Sequence, residues 1–196
     1  MNYLSELLVS LVGMAIAISV HEFGHAYSAH LLGDDTAKYN GRLTLNPAKH
    51  LDPVGLIMLL IFHFGWAKPV PVNPNNFKNY RMGNIMVSLS GAIGNLLAAI
   101  VCGLIAKYVN IYAVNLIFIN AMWINIWFGA FNLLPIPPLD GWGVISSLLP
   151  YKYNEFIYKY ENVGYGILLI ALFTGTYSIV VTPISRVFQM IVSIFI

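Results

Sequence analysis

Long apolar runs divided by short polar ones dominate this chain. Ser5 to Leu32, Met82 to Lys107 and Ile111 to Leu134 each exceed the roughly 20 residues that a helix needs to cross a bilayer. Gly33-Asp34-Asp35 supplies the stop signal for the first run. Gly164 to Val181 predicts a fourth span, and Pro183 separates it from an apolar tail, Ile184–Ile196, too short to cross comfortably. Val54 to Trp66 is apolar but only about 13 residues long, which predicts a re-entrant segment rather than a crossing. Pro69, Pro71 and Pro74 forbid regular helix over 67–76 and favour a stiff, extended stretch. Lys38 to Pro47 carries a short strand signal around Asn40-Gly41, a pair suited to a tight turn, and so predicts a small β-hairpin. Tyr151 to Asn162 reads as amphipathic and charged. The expected fold is an all-α polytopic membrane protein with about four transmembrane helices, one re-entrant segment and one hairpin. It is expected to form a single membrane-embedded domain over 1–196, with a core at about 5–149 and C-terminal membrane segments at about 150–196.

Composition agrees with the pattern. The 196 residues are 58% hydrophobic and 9% charged, against roughly 25% charged in a soluble domain, and mean hydropathy is +0.72. A net charge of +2 gives no sign of a nucleic-acid partner. Cys102 is the single cysteine, so neither an internal disulfide nor a cysteine metal site is expected. No cleavable signal peptide is expected, because Met1 to Glu6 lacks a basic n-region. Lysine and arginine gather in Lys38–Lys49, Lys68–Arg81 and Lys152–Lys159, while Lys107 stands alone between two spans. By the positive-inside rule those three regions face the cytoplasm of a cell membrane. That assignment holds only if Val54–Trp66 returns to the side it came from.

The candidate chemistry lies within the first run, at His21-Glu22-Phe23-Gly24-His25. Positions four apart share a helix face, so His21 and His25 can offer two imidazoles to one zinc ion. Glu22 lies about 100° around the helix, where it can act as a base on a water at the metal without ligating it. Two histidines and a glutamate in an apolar run are expensive in lipid and functional by default. Gly13 and Ala17 extend the histidine stripe with small residues, so this face should point into the bundle. A catalytic zinc usually keeps three protein ligands, and His30, His50, Asp52, His63 and Asp140 are the candidates for the third. His30 falls on the opposite side of the helix. The cytoplasmic topology brings Asp140 to the side where the first helix ends, and the break at Pro135-Ile136-Pro137-Pro138 gives it a way back into the bundle. The predicted hairpin at Leu43, Thr44 and Leu45 is either a surface loop or an edge strand able to pair with an extended peptide.

His21–His25 together with Asn132-Leu133-Leu134-Pro135-Ile136-Pro137-Pro138-Leu139-Asp140-Gly141 resembles the site-2 protease family of intramembrane zinc metalloproteases. Gly41 to Pro47, His50 to Pro53 and Trp66 to Asn73 are similar to the short prokaryotic members, which lack appended regulatory domains. The similarity runs from about Val20 to Leu149. It implies one zinc ion on His21, His25 and Asp140, with Glu22 as the catalytic acid and base. It also implies substrate or oxyanion contacts at Asn95 and Asn132, where an interhelical hydrogen bond is the plainer alternative. The family's middle helix carries serine, glycine and proline ahead of that asparagine; here Ser90-Gly91-Ala92 has alanine in the proline's place. The expected substrate is a transmembrane helix that unwinds locally, pairing with Leu43–Leu45 as it does so. Two rivals are a zinc-binding scaffold without proteolysis and a metal-ion transporter. The intact Glu22 argues against the first, and the gathering of polar residues toward one side argues against the second.

Overall fold

The computed structural model describes residues 3–62 and 65–196. Eight α-helices follow in order among them: α1 Tyr3–Leu31, α2 Thr36–Tyr39, α3 Pro53–Phe62, α4 Tyr80–Tyr108, α5 Tyr112–Asn132, α6 Asp140–Leu148, α7 Asn154–Thr174 and α8 Tyr177–Phe195. Four of them, α1, α4, α5 and α8, are long and apolar enough to cross a membrane, and the protein is a multi-pass membrane protein. Helix α4 is central and packs against α1, α5, α6 and α8. Its buried stripe is Gly91, Asn95, Ala99 and Gly103, with Ala92, Cys102, Met122, Ile126 and Phe188 in the cluster around it. Small residues on one helix face let the neighbouring backbones approach closely, which drives association where lipid removes the hydrophobic incentive.

Two expectations change. The hairpin does not form: residues 36–39 are helical, Leu43 and Thr44 are bent, and Pro47–Lys49 is a single 3₁₀ turn. Gly41 does adopt the left-handed conformation, at φ 64°. It closes α2 in a Schellman cap, with Gly41 N–H donating to the Lys38 carbonyl and Arg42 N–H to that of Ala37. An Asn-Gly pair satisfies a helix C-terminus as readily as a hairpin. The second change is in the tail, which breaks at Gly175, φ 73°, rather than at Pro183. Pro183 lies inside α8, where a membrane helix tolerates a missing N–H more readily than water-exposed helices do. The fourth candidate span is therefore Tyr177–Phe195 and not Gly164–Val181.

The short apolar segment forms a helix between two flanks that meet. Helix α3 has ten residues, and its flanks meet again in an antiparallel bridge between Leu51 and Ala67. Lys68 N–H donates to the His50 carbonyl at 2.8 Å. Gly55 permits the return, since a Cβ there would lie 2.2 Å from the Trp66 carbonyl oxygen. His63, one of the candidates for the third ligand, lies outside the described residues.

Beyond Lys68 the chain runs as a strap over the end of α1, pinned twice. Arg42 Nη2 donates to the Lys68 carbonyl at 2.6 Å. At the far end Asp34, fully buried, accepts from Asn73 N–H at 2.7 Å, from Asn76 Nδ2 at 2.7 Å and from Thr36. Burial pushes the Asp34 carboxyl upward, but these donors outweigh it and hold its pKa below the usual carboxylate range. Removing the carboxylate strands several buried donors, and a hydrogen bond to a charged group is worth about 1.5–3 kcal/mol. Asp34→Ala is therefore expected to lose about 3 kcal/mol in reversible unfolding from detergent micelles. A depressed folded pKa means that this contribution is full above the unfolded value of about 4 and fades as pH falls below it. The wild type should lose stability in that acid range more steeply than the variant.

Candidate metal centre

The centre is built where α1 and α4 touch. Two glycines permit the approach: a Cβ on Gly24 would lie 2.6 Å from the Ser90 carbonyl oxygen, and one on Gly91 would lie 2.7 Å from His21 Nδ1 and from His25 Nε2. The rings of His21 and His25 therefore lie against bare α4 backbone, 4.6 Å apart between centroids and at 88° to one another. Both are buried.

Each ring is fixed on its far side by α4. His25 Nδ1 lies 2.8 Å from the Val87 carbonyl oxygen, which can only accept, so the hydrogen is on Nδ1. His21 Nδ1 lies 2.8 Å from Asn95 Oδ1. Asn95 presents oxygen there because its Nδ2 donates to the Ala17 carbonyl and to Asn125 Oδ1, both at 2.9 Å. Both Nε2 atoms are thereby left as lone pairs, yet they stand 3.0 Å apart.

The third group comes from beyond α5. After Asn132 the chain reverses through Leu133–Leu139, and Gly141 lets it pass close by, since a Cβ there would lie 2.2 Å from the Leu133 carbonyl oxygen. Helix α6 then docks on α4 where Gly143 meets Ser88. Asp140, in the first turn of α6, places Oδ2 3.0 Å from His21 Nε2 and 3.2 Å from His25 Nε2. That oxygen is buried without a hydrogen-bond donor.

Three electron-rich atoms thus converge on one point. A proton could relieve one pair of them; a cation relieves all three. Zinc bonds of about 2.0–2.2 Å in tetrahedral geometry set ligand atoms about 3.3–3.5 Å apart, within a few tenths of an ångström of the distances here. Two imidazoles and a carboxylate, with Nδ1–H groups held by an amide and a carbonyl, are a donor set that suits zinc. Among the described residues, this is the one group of three histidine, cysteine or acidic side chains arranged to hold an ion.

The remaining candidates fall elsewhere. His30 pairs with Asp35, His50 Nε2 donates to the Thr44 carbonyl, and Asp52 accepts from Gly55 N–H as α3 begins. Leu43 and Thr44 form the bend after α2, and Leu45 is exposed. Asn132 donates Nδ2 to the Phe128 carbonyl. Glu22 is buried, with Oε2 accepting from the backbone N–H of Val70 at 2.8 Å, so the proline strap touches the centre. That contact uses a main-chain donor and leaves no side-chain signal in a sequence. Phe128 packs edge-on to His21 at 5.1 Å. It also lines an apolar cavity of about 590 Å³, together with Met14, Ile18, Trp66, Trp127 and Val181.

No protein-family model and no solved structure matches the chain significantly. Curated relatives do. The chain is 37% identical over 182 residues to "Putative zinc metalloprotease YwhC" of Bacillus subtilis, covering 88% of this chain and 83% of that one. It is 29% identical over 184 residues to "Putative zinc metalloprotease Rip2" of Mycolicibacterium smegmatis, covering 89% and 70%. With "Zinc metalloprotease MJ0392" of Methanocaldococcus jannaschii it shares 22% over 167 residues, 83% of this chain and 41% of the relative. The chain belongs to the site-2 protease family, the intramembrane zinc metalloproteases.

The glycine contact gives a direct check of the geometry. Gly91→Ala puts a methyl group into both imidazoles and should weaken zinc binding by at least about tenfold, measured by competition with a chromophoric chelator. Helical circular dichroism should be kept. Unchanged affinity would show that the rings are not held against α4.

Proposed function

We propose that this protein is a zinc endopeptidase that hydrolyses peptide bonds within or near the transmembrane segments of other membrane proteins. The observation that carries the reading is the convergence of His21, His25 and Asp140 within a span-length helix bundle, with the Glu22 carboxylate beside it. One zinc ion fits, held by those three side chains with a position left open. Bound there, zinc supplies a Lewis acid that polarises a carbonyl and brings the pKa of a water to about 7. Glu22 takes the proton of the attacking water. It returns that proton to the departing amine nitrogen, so the elements of water are divided between the two new ends.

Glu22 does this from a fixed position, because Val70 N–H holds Oε2. Asn132 donates one amide hydrogen to Phe128 and has a second to offer a developing oxyanion. Asn95 has both amide hydrogens and Oδ1 committed within the bundle, and we assign it to positioning His21 rather than to contacting substrate. The apolar cavity beside Phe128 suits the side chains of a membrane segment. A helical peptide bond is shielded by its own hydrogen bonds, so the segment must unwind, and its freed groups need partners in the absence of water. Strand pairing at Leu43–Leu45 would require that bend to straighten.

The meeting of Leu51 with Ala67 around the ten-residue α3 supports a re-entrant segment. With the lysine and arginine distribution it supports a centre reached from the cytoplasmic face of the cell membrane. A scaffold that merely bound zinc would have no use for a buried carboxylate beside the ligands. A transporter would need polar groups lining a path past the centre; the amides there, Asn95 and Asn125, are fully buried and bonded to one another, and Ala99, Cys102 and Ala121 pack around them.

Two substitutions test the roles. Glu22→Gln should leave one zinc bound and reduce cleavage of a membrane-spanning substrate by a factor on the order of 10² to 10⁴; retained cleavage would remove Glu22 from the mechanism. Val70→Pro deletes one N–H in a stretch already bounded by Pro69 and Pro71, so the backbone can accept it. It should slow turnover on the order of tenfold to a hundredfold with zinc still bound, and wild-type turnover would show that the strap does not position Glu22.

A further inference from the structure

We infer that Asn125, which touches neither the ligands nor the substrate cavity, is a positioning residue that helps fix the tautomer of His21 and thereby the metal affinity of the centre. The inference rests on the reading that His21 ligates through Nε2. Its ground is a chain of buried hydrogen bonds joining three helices. Asn125 Nδ2 on α5 donates to the Ala121 carbonyl at 2.8 Å. A carbonyl only accepts, so Asn125 must turn its Oδ1 the other way, and there it meets Asn95 Nδ2 of α4 at 2.9 Å. Asn95 gives its other amide hydrogen to the Ala17 carbonyl of α1. With both hydrogens held, only oxygen can face His21 Nδ1, and the ring must carry its hydrogen on that atom. Both asparagines are fully buried, so no water stands in if a member is lost.

Were the Asn95 amide turned over, its NH₂ would face Nδ1. That would force the hydrogen onto Nε2, where it blocks a metal. Ala17 resists the turn through one hydrogen bond and Asn125 through a second. Without Asn125, one buried amide hydrogen has no acceptor and half the restraint is gone. Partners of metal-bound histidines typically change metal affinity 10- to 100-fold when altered. Asn125 is one bond further out and belongs at the lower end of that range.

The full-length protein in detergent micelles is the material for the test, and zinc alone is the probe. In the metal-free wild type labelled with ¹⁵N-histidine, the His21 resonances, assigned by their loss in His21→Ala, should report a single tautomer with hydrogen on Nδ1. A ring with hydrogen on Nε2, or an even mixture, would overturn the inference without any change at Asn125. Asn125→Leu should bind zinc about tenfold more weakly and show a mixed His21 tautomer. Asn125→Asp, which as a neutral acid has the same shape and can still accept from Asn95, should stay within about threefold of wild type. Wild-type affinity in the leucine variant, or equal losses in both variants, would overturn the inference, the second result marking Asn125 as packing only. His21→Ala separates this from the parent reading. If it loses zinc while Asn125→Leu does not, only the inference fails; if it binds zinc as well as wild type, the metal centre itself is misassigned.

Discussion

The centre depends on where two hydrogens are placed. His21 and His25 present lone pairs to each other and to Asp140 only because α4 holds the hydrogen on the far side of each ring, through Asn95 Oδ1 and the Val87 carbonyl. In water such an arrangement would relax by rotation or protonation. In the buried interior, rotating either ring leaves a polar group without a partner, at a cost of several kcal/mol in hydrocarbon, and one proton relieves only one pair of the three converging atoms. The fold thus maintains an electron-rich triangle that a cation completes, and the same hydrogen bonds that fix the rings also tie α1 to α4.

Helix α4 can do this because of what it lacks. Gly91 has no side chain where the rings lie, and the small residues continuing to Ala99 and Gly103 keep α1 and α5 close along the same face. Asn95 is the one amide set into that stripe, one turn from Gly91. An alanine at 91 and an apolar residue at 95 would still permit a packed bundle, but not one with aimed imidazoles. The resemblance leads one to expect proline at position 92; Ala92 stands there, and α4 runs unbroken from Tyr80 to Tyr108. The rings are held without that residue.

Three of the candidate spans and the grouping of His21, His25 and Asp140 were legible because they rest on coarse physics. Hydropathy over 20 residues marks α1, α4 and α5; spacing of four puts two imidazoles on one face; and the proline run before Asp140 announces a reversal. What was not legible turns on local geometry with two solutions. Asn40-Gly41 fits a hairpin and a helix cap equally, and the burial of Ala37 against the bundle decides for the cap. Pro183 reads as a breaker by its missing N–H, but left-handed Gly175 makes the break, and α8 absorbs the proline. Asn125 is visible as an amide in an apolar helix, though its partner is set by the α4–α5 register. The Val70 contact cannot be read at all, since every residue but proline carries a backbone N–H.

Glu22 and Phe128 each lie beside His21 but have different partners. Glu22 meets the strap, which Asp34 and Arg42 pin to the polar end of α1. Phe128 lines the apolar cavity, which α1, α5 and α8 enclose together with α3, its flanks and the end of α7. Hydrolysis of a membrane-embedded peptide needs both surroundings at one carbonyl, water from one side and an apolar segment from the other. An ion deeper in the bundle would be cut off from water, and one on the loops would be cut off from the membrane. Placing the motif near the polar end of a long helix, and returning the chain at Pro135–Pro138 to bring Asp140 inward, meets both demands. The depth of His21 and His25 along α1 is therefore as much a part of the centre as their spacing.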